Sequence, residues 1–219
     1  MDINKLIDHT YLKPTGTKKD IDQILEEAIT YDFKSVCIHP TWVEYAAESL
    51  RKTDVLVCTV IGFPLGANSK ETKVYETTDA LKKGANEIDM VINIAHVKDG
   101  HFDLIEAEVR AIKDVCQNHV LKVILETCYL EADELDQAAQ AAINAGADFI
   151  KTSTGFGTGG ATTSDVKKMK AIAKDKGVKA SGGVRSLEDL QRMVEAGATR
   201  IGASSGVKIM QGKKSQENY

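Results

Sequence analysis

Two lysines stand where a strand-like run gives way to a loop. Lys151 follows the apolar approach of Phe149 and Ile150 in ADFIKTSTGFGTGG, and Lys179 sits in VKASGG. Ammonium groups are almost never fully buried unless paired, so a lysine in such a run is an ion pair, a snorkelling side chain or a nucleophile. Two lysines on adjacent inward-facing strands repel each other's charge, and partial burial also disfavours the ammonium form, so one of the pair is expected to have a lowered pKa. A free amine at neutral pH can form a Schiff base with a carbonyl, and the iminium is then an electron sink for breaking or making a neighbouring carbon–carbon bond. Asp89 in NEIDMVIN, with Asp8 and Lys122 behind it, could pass protons through a water to the carbinolamine and to a substrate hydroxyl.

Glycine-rich segments follow the last three candidate strands: TSTGFGTGG, SGGVRS and GASS. Each offers backbone N–H groups and hydroxyls at the start of a helix, a common way of holding a phosphate. One such loop is ordinary turn chemistry. Three in succession beside two inward lysines are a more specific signal.

The elements that must position these residues repeat. Eight strand-like runs (KLIDHTYL, FKSVCIHP, VLVCTVIGFP, NEIDMVIN, VLKVILET, FIKTS, VKASGG and RIGASS) alternate with amphipathic stretches such as TKKDIDQILEEAITY, SKETKVYETTDALKKG, FDLIEAEVRAIKDVCQN, ADELDQAAQAAINAG, TSDVKKMKAIAKDKG and SLEDLQRMVEAG. Many open on Ser, Thr or Asp and several close on Gly, as capped helices do. Three turns, at Lys83-Gly84-Ala85, Ala145-Gly146-Ala147 and Ala196-Gly197-Ala198, end helices just before strands. A strand–helix unit of roughly 27 residues repeated eight times predicts an α/β fold, a single (β/α)8 barrel over residues 1–219 with a short polar tail from about residue 211. An open doubly wound sheet is the alternative.

Strand residues alternate between the helix-packed and the axial side of a barrel. Ile88, Met90 and Ile92 form one apolar set, which leaves Asp89 inward; Leu121, Val123 and Leu125 leave Lys122 and Glu126 inward. The same parity places Lys151, Lys179, Asp8, Thr10, Cys37 and His39 inside, and His9 on the helix side. The interior thus holds three lysines (122, 151 and 179) and three carboxylates (Asp8, Asp89 and Glu126). A neutral ion-pair layer that fixes strand register is one explanation. The position of Lys151 and Lys179 near the carboxyl ends of their strands, where barrel enzymes place their active sites, favours chemistry.

With 28 Lys and Arg against 32 Asp and Glu, a net charge of −4, the chain has no general basic character, which argues against a nucleic-acid surface. The cysteines at 37, 58, 116 and 128 form no C-x-x-C pair, the opening MDINKLIDHT is too charged for a signal peptide, and no apolar run approaches a membrane span. A cytoplasmic protein without nucleic-acid or membrane partners is expected. His9 and His39 lie near strand ends, but His9 has the parity opposite to Asp8, and His101 and His119 fall in or beside helical stretches, so no convergent three-ligand set is visible and no metal site is expected. Cys37 reads as a core residue that a substrate aldehyde could inactivate, and Trp42 as a packing residue at a helix start.

The segments IDHTYLKP, SVCIHP, EIDMVIN, VILET, FIKTSTGF with GGAT, VKASGGVR and RIGASSG, in this order across nearly the whole chain, resemble deoxyribose-phosphate aldolase. The resemblance implies a class I aldolase: reversible cleavage of 2-deoxy-D-ribose 5-phosphate to D-glyceraldehyde 3-phosphate and acetaldehyde, with neither metal nor organic cofactor. It makes Lys151 the Schiff-base lysine, Lys179 the perturbing lysine and Asp89 the proton relay. Asp8, Thr10 and Lys122 match the supporting polar network, and Gly155, Gly182, Gly183, Ser204 and Ser205 the phosphate site. Phe156 stands where some members carry a basic residue, which would leave phosphate affinity to backbone donors. Some members end in a tyrosine that reaches the active site; Tyr219 could do the same or could end a loose tail. A homodimer is one option for assembly. A phosphosugar-binding barrel without chemistry would have lost Lys151, Lys179 or Asp89, and a phosphosugar isomerase or epimerase would use a carboxylate base without an imine.

Overall fold

Alternation of apolar with polar residues produces a two-sided strand, and eight such strands recur along the chain. The computed structural model describes residues 2–216. The strands are β1 (Ile7–Tyr11), β2 (Ser35–Ile38), β3 (Leu56–Ile61), β4 (Glu87–Val91), β5 (Val120–Ile124), β6 (Phe149–Lys151), β7 (Gly177–Ser181) and β8 (Arg200–Ala203). They pair in parallel in chain order, and β8 returns to β1 through Ile7, Asp8 and His9, which closes the barrel and rules out the open sheet. β6 is short as a strand, yet its pairing runs on past Lys151: Thr152 N–H donates to Lys179 O at 3.0 Å and Thr127 N–H to Thr152 O at 2.9 Å.

The helices are α1 (Lys18–Thr30), α2 (Val43–Leu50), α3 (Lys70–Lys82), α4 (Ile94–Lys98), α5 (Phe102–Cys116), α6 (Ala132–Asn144), α7 (Thr163–Ala173), α8 (Leu187–Glu195) and α9 (Gly206–Met210). Side-chain oxygens of Thr17, Ser69, Thr162 and Ser186 cap α1, α3, α7 and α8, and each such cap stabilises by about 0.5–2 kcal/mol relative to Ala. α2 follows Trp42 and α9 follows the GASS segment, both expected at helix starts, whereas α4, a short helix between β4 and α5, is an extra element. Trp42 ends a single 3-10 turn, Pro40–Trp42, and packs half-buried against the core just before α2. No helix among the described residues is long and apolar enough to cross a membrane.

The main core lies between sheet and helices. Ile7, Val36, Ile38, Val57, Ile61, Ile88, Met90, Leu121, Val123, Ile150, Val178, Ala180 and Ile201 point outward from the strands and are buried under the helices. Full burial of a side chain of this size is worth about 1.5–3 kcal/mol, and this layer compensates for a barrel interior that is largely polar. Inside the barrel a small apolar cluster of Leu12, Cys37, Cys58 and Val60, with Phe63 against it, occupies the β2–β3 side. Asp8, Glu87, Asp89, Lys122, Lys151, Lys179 and Arg200 bring charge to other inward positions, among uncharged ones such as Ser35, Val91, Ile124 and Phe149.

A further buried ion pair lies outside the barrel. Lys73 of α3 donates to Glu108 of α5 and to the Val91 carbonyl at the end of β4, both at 2.7 Å. Glu108 also accepts from Asn93 N–H at 3.3 Å, so the pair pins the carboxyl end of β4.

The polar tail is less loose than its composition suggests. After α9, Ser215 is buried and its N–H donates to Arg185 O at 2.9 Å, which ties the segment to the loop after β7. Tyr219 lies outside the described residues.

Candidate active site

Strand register brings the charged side chains together. Lys151 and Lys179 are direct partners on β6 and β7, Lys179 pairs with Arg200 on β8, and Asp89 pairs with Lys122 on β5. The Asp89 carboxylate is the centre. Its Oδ1 accepts from Lys122 at 2.8 Å, and its Oδ2 accepts from both Lys151 at 2.8 Å and Lys179 at 2.7 Å. Asp8 binds Lys179 at 2.5 Å, Arg200 Nε at 3.1 Å and the Ser35 hydroxyl at 2.6 Å. Lys179 needs room for this reach, and Gly202 supplies it: a Cβ there would lie 3.1 Å from Lys179 Cε and 2.9 Å from Ser181 Cβ.

Two members of this network, Glu87 and Arg200, are absent from the set that sequence reasoning assembled. Glu87 takes Arg200 at 2.5 and 2.6 Å and Lys122 at 2.7 Å. Both Glu87 and Arg200 share the inward parity of Asp89 and Gly202, so the same alternation that found Asp89 contained the signal. Within the hydrogen-bonded set, four cations (Lys122, Lys151, Lys179 and Arg200) face three carboxylates (Asp8, Glu87 and Asp89). The cations thus outnumber the carboxylates by one, and one proton can leave without exposing a bare carboxylate.

Electrostatics distinguish the lysines. Burial works against charge on Lys179, but Asp8 and Asp89 outweigh it and hold the ammonium well above the usual lysine range. Lys122 is raised in the same way, against burial, chiefly by Asp89. The sequence-level expectation of a lowered pKa therefore does not fall on Lys179. Burial would push Asp89 up, yet Lys122, Lys151 and Lys179 together hold it well below the ordinary carboxylate range. Among the described residues Lys151 makes a single carboxylate contact, and it keeps a slight opening, 3 % exposed, while Lys122 and Lys179 are sealed at 0 %. Losing its proton breaks one ion pair; losing that of either neighbour breaks two short ones.

Above this network lies the mouth. Glu126 follows β5 with a left-handed backbone, φ 53° and ψ 61°, a conformation non-glycine residues seldom adopt. Its carboxylate accepts from the Thr154 N–H at 3.2 Å and from the Thr154 hydroxyl, so it anchors the loop that carries Gly155. Burial raises its pKa despite those bonds. A small cavity of about 160 Å³ opens here, lined by Pro64, Leu65, Glu126, Tyr129, Thr154 and Phe156. Phe156 meets Phe63 edge to face, with ring centroids 5.4 Å apart.

The glycines expected at a phosphate site share a left-handed backbone, with φ of 90° at Gly155, 80° at Gly182 and 82° at Gly183. Gly182 also packs under the β6 loop, where a Cβ would come within 3.0 Å of Gly160 Cα. Ser204 is exposed and Ser205 buried, its hydroxyl donating to Val184 O at 3.1 Å. Thr10, Ser204 and Ser205 line one cavity of about 340 Å³ between the ends of β1 and β8. Thr10 itself donates to the Asp8 carbonyl at 2.8 Å.

The histidines do not converge. His9 leaves the barrel on the helix side to meet Glu27 at 2.6 Å, and His39 contacts the Leu12 carbonyl at 2.9 Å. Two buried donor sets, Cys37–Cys58–Asp89 and Asp8–Cys58–Glu87, are close enough to share an ion. Their carboxylates are the ones already held by lysine and arginine, so a divalent cation there would sit against fixed positive charge.

Fold and site together describe a (β/α)8 barrel with an enclosed lysine–carboxylate network in its interior, topped by Lys151 at the carboxyl end of β6. The DeoC/LacD family aldolase model matches residues 3–212. Deoxyribose-phosphate aldolase 1 of Staphylococcus aureus strain MRSA252 is 58 % identical over 220 residues, covering 100 % of both chains. Among solved structures, QR15, an aldolase, superimposes with a TM-score of 0.92 at 42 % identity, covering 96 % of this chain and 95 % of the other. The tetrameric deoxyribose phosphate aldolase from Aeropyrum pernix gives 0.87 at 35 % identity, covering 95 % and 89 %. The chain belongs to the DeoC/LacD aldolase family.

Proposed function

We propose that the protein is a class I deoxyribose-phosphate aldolase that cleaves 2-deoxy-D-ribose 5-phosphate reversibly to D-glyceraldehyde 3-phosphate and acetaldehyde. The observation that carries the reading is the shared oxygen: Lys151 and Lys179 both donate to Asp89 Oδ2. Lys151, the lysine with a single carboxylate contact and a path to the mouth, adds as an amine to the substrate aldehyde, and loss of water gives the imine. The iminium draws electrons from the C2–C3 bond of the bound sugar as Asp89, through a water, accepts the proton of the C3 hydroxyl, whose oxygen becomes the aldehyde of the departing D-glyceraldehyde 3-phosphate. Protonation of the resulting enamine and hydrolysis release acetaldehyde and free Lys151. Lys179 keeps its charge throughout and favours the neutral form of its neighbour.

Asp8, Thr10 and Lys122 support this arrangement: Asp8 and Lys122 fix the Lys179–Asp89 contact, and Thr10 braces Asp8. The phosphate is assigned to the loops after β6, β7 and β8, with Gly155, Gly182, Gly183, Ser204 and Ser205. Phe156 offers no charge there, so backbone N–H groups and hydroxyls hold the anion. The reading requires neither metal nor organic cofactor. A cytoplasmic location and assembly as a homodimer accompany it; the Aeropyrum relative is described as tetrameric.

Borohydride reduction in the presence of acetaldehyde tests the reading. An ethyl adduct on Lys151, located by peptide mass, is the expected result. Adducts confined to surface lysines would refute the imine mechanism, and an adduct on Lys179 would exchange the two roles.

A further inference from the structure

Cys37 and Cys58 are register partners on β2 and β3, and both thiols turn into the barrel, where they are fully buried. Paired positions on neighbouring strands stand about 4.7–4.9 Å apart, within the roughly 4.4–6.8 Å Cα separation that a disulfide spans. Their Sγ atoms and a carboxylate oxygen of Asp89 all lie within 4.8 Å of one another. Cys58 is also wired into the charged network: its thiol donates to Asp89 Oδ1 at 3.2 Å, and Lys122 Nζ lies 3.3 Å from its sulfur.

We propose that Cys37 and Cys58 form a reversible oxidation site, which a hydroperoxide small enough to pass the barrel mouth converts to a disulfide that disables the network around Asp89. The two thiols have different parts. The hydrogen bond with Cys58, followed by the charge of Lys179, lowers the pKa of Cys37 against burial, whereas burial and the same bond raise that of Cys58. Cys37 therefore attacks first, since the thiolate is the nucleophile. Its sulfur takes the terminal oxygen of the peroxide, the O–O bond breaks, and the products are a sulfenic acid and water, or an alcohol from an organic hydroperoxide. Cys58 then displaces the sulfenic oxygen as a second water, and the S–S bond forms. Two thiol protons and two electrons pass to the peroxide.

Oxidation would reach the site through the hydrogen bond it removes. Once oxidised, Cys58 has no hydrogen to give Asp89 Oδ1, and its sulfur is drawn toward β2, away from Lys122. The other oxygen of the carboxylate that both active lysines share then loses one of its two donors and is held by Lys122 alone. As apolar filling beside Leu12, Val60 and Phe63, the two cysteines would need neither matched register nor contact with Asp89.

The test exposes the full chain to hydrogen peroxide, quenches with iodoacetamide, and maps peptides without reduction. A linked Cys37–Cys58 peptide is expected, with aldol cleavage activity falling in proportion to the linked fraction and both changes reversed by dithiothreitol. Cys37→Val and Cys58→Ala, each normalised to its own untreated activity, should form no link and show no dithiothreitol-reversible loss. Absence of the link when the partly exposed Cys128 is already oxidised would overturn the proposal, as would a fully linked protein with unchanged activity. The link is read by mass alone, so an untreated protein without aldolase activity would refute the reading of function and leave the oxidation site standing.

Discussion

Lys151 and Lys179 donate to the same oxygen, Oδ2 of Asp89, at 2.8 and 2.7 Å. One anionic oxygen between two ammonium groups gives each less stabilisation than it would have alone. Lys179 makes up the difference through Asp8 at 2.5 Å, and Lys151 has no second carboxylate at that range among the described residues. The asymmetry arises from which neighbours complete each shell.

Removing that competitor should be visible in a pH profile. In Lys179→Met the whole charge of Oδ2 bears on Lys151, so its ammonium form is favoured and borohydride trapping of acetaldehyde should move to higher pH. Each unit of movement corresponds to about 1.4 kcal/mol. Trapping that keeps its profile and merely loses amplitude would reduce Lys179 to a positioning role.

Asp89→Asn removes both the relay and the central charge. Activity should fall about 10²–10⁴-fold, the usual contribution of a general acid–base group. Stability should respond with a definite sign. The native carboxyl is held below its ordinary 3.8, so its contribution is present above that value and disappears as pH falls through the lowered native one. Urea midpoints should show a deficit of the variant at pH 7 that narrows in acid below about pH 4; a gap independent of pH would mean that Asp89 acts through shape alone.

Gly183→Ala tests the phosphate assignment with little steric confusion, because a Cβ there meets nothing within 4 Å while the backbone φ is +82°. A left-handed alanine costs about 1–2 kcal/mol, so the loop should shift. KM for the 5-phosphate sugar is expected to rise while unphosphorylated deoxyribose is hardly affected. Equal losses on both substrates would remove this loop from the phosphate site.

The Lys73–Glu108 pair gives a stability prediction independent of catalysis. Glu108→Leu leaves a buried ammonium with only the Val91 carbonyl, and loss of one partner of a buried pair typically costs about 3–5 kcal/mol. Adding Lys73→Met to that variant should restore most of the loss in a denaturant titration. Additive destabilisation in the double variant would show that the pair is held by something other than its charges.

Parity alone placed Lys122, Lys151, Lys179, Asp89 and Asp8 inside the barrel, because a period of two is rigid and the apolar partners of each residue are unambiguous. Glu87 and Arg200 obey the same rule but stand at strand starts, away from the loop-bearing end that signals chemistry, and only the closed ring shows them meeting. Lys73 was illegible for a different reason. A lysine in an amphipathic helix reads as solvated, and nothing in SKETKVYE marks that its partner lies 35 residues on, in another helix. The Phe63–Phe156 contact likewise joins loops after β3 and β6, a relationship that no local pattern encodes.

Arg200 lies 192 residues from Asp8 and 113 from Glu87, and it reaches both. During synthesis, the side chain that neutralises the first strand thus belongs to the last one made. Until β8 docks, Asp8 and Glu87 lack their guanidinium and the sheet has two open edges. A burial penalty of several kcal/mol per unpaired ion opposes sealing the interior in that state. A half-made barrel is therefore held open by its own charges, and completion of the ring and desolvation of its centre become one cooperative event.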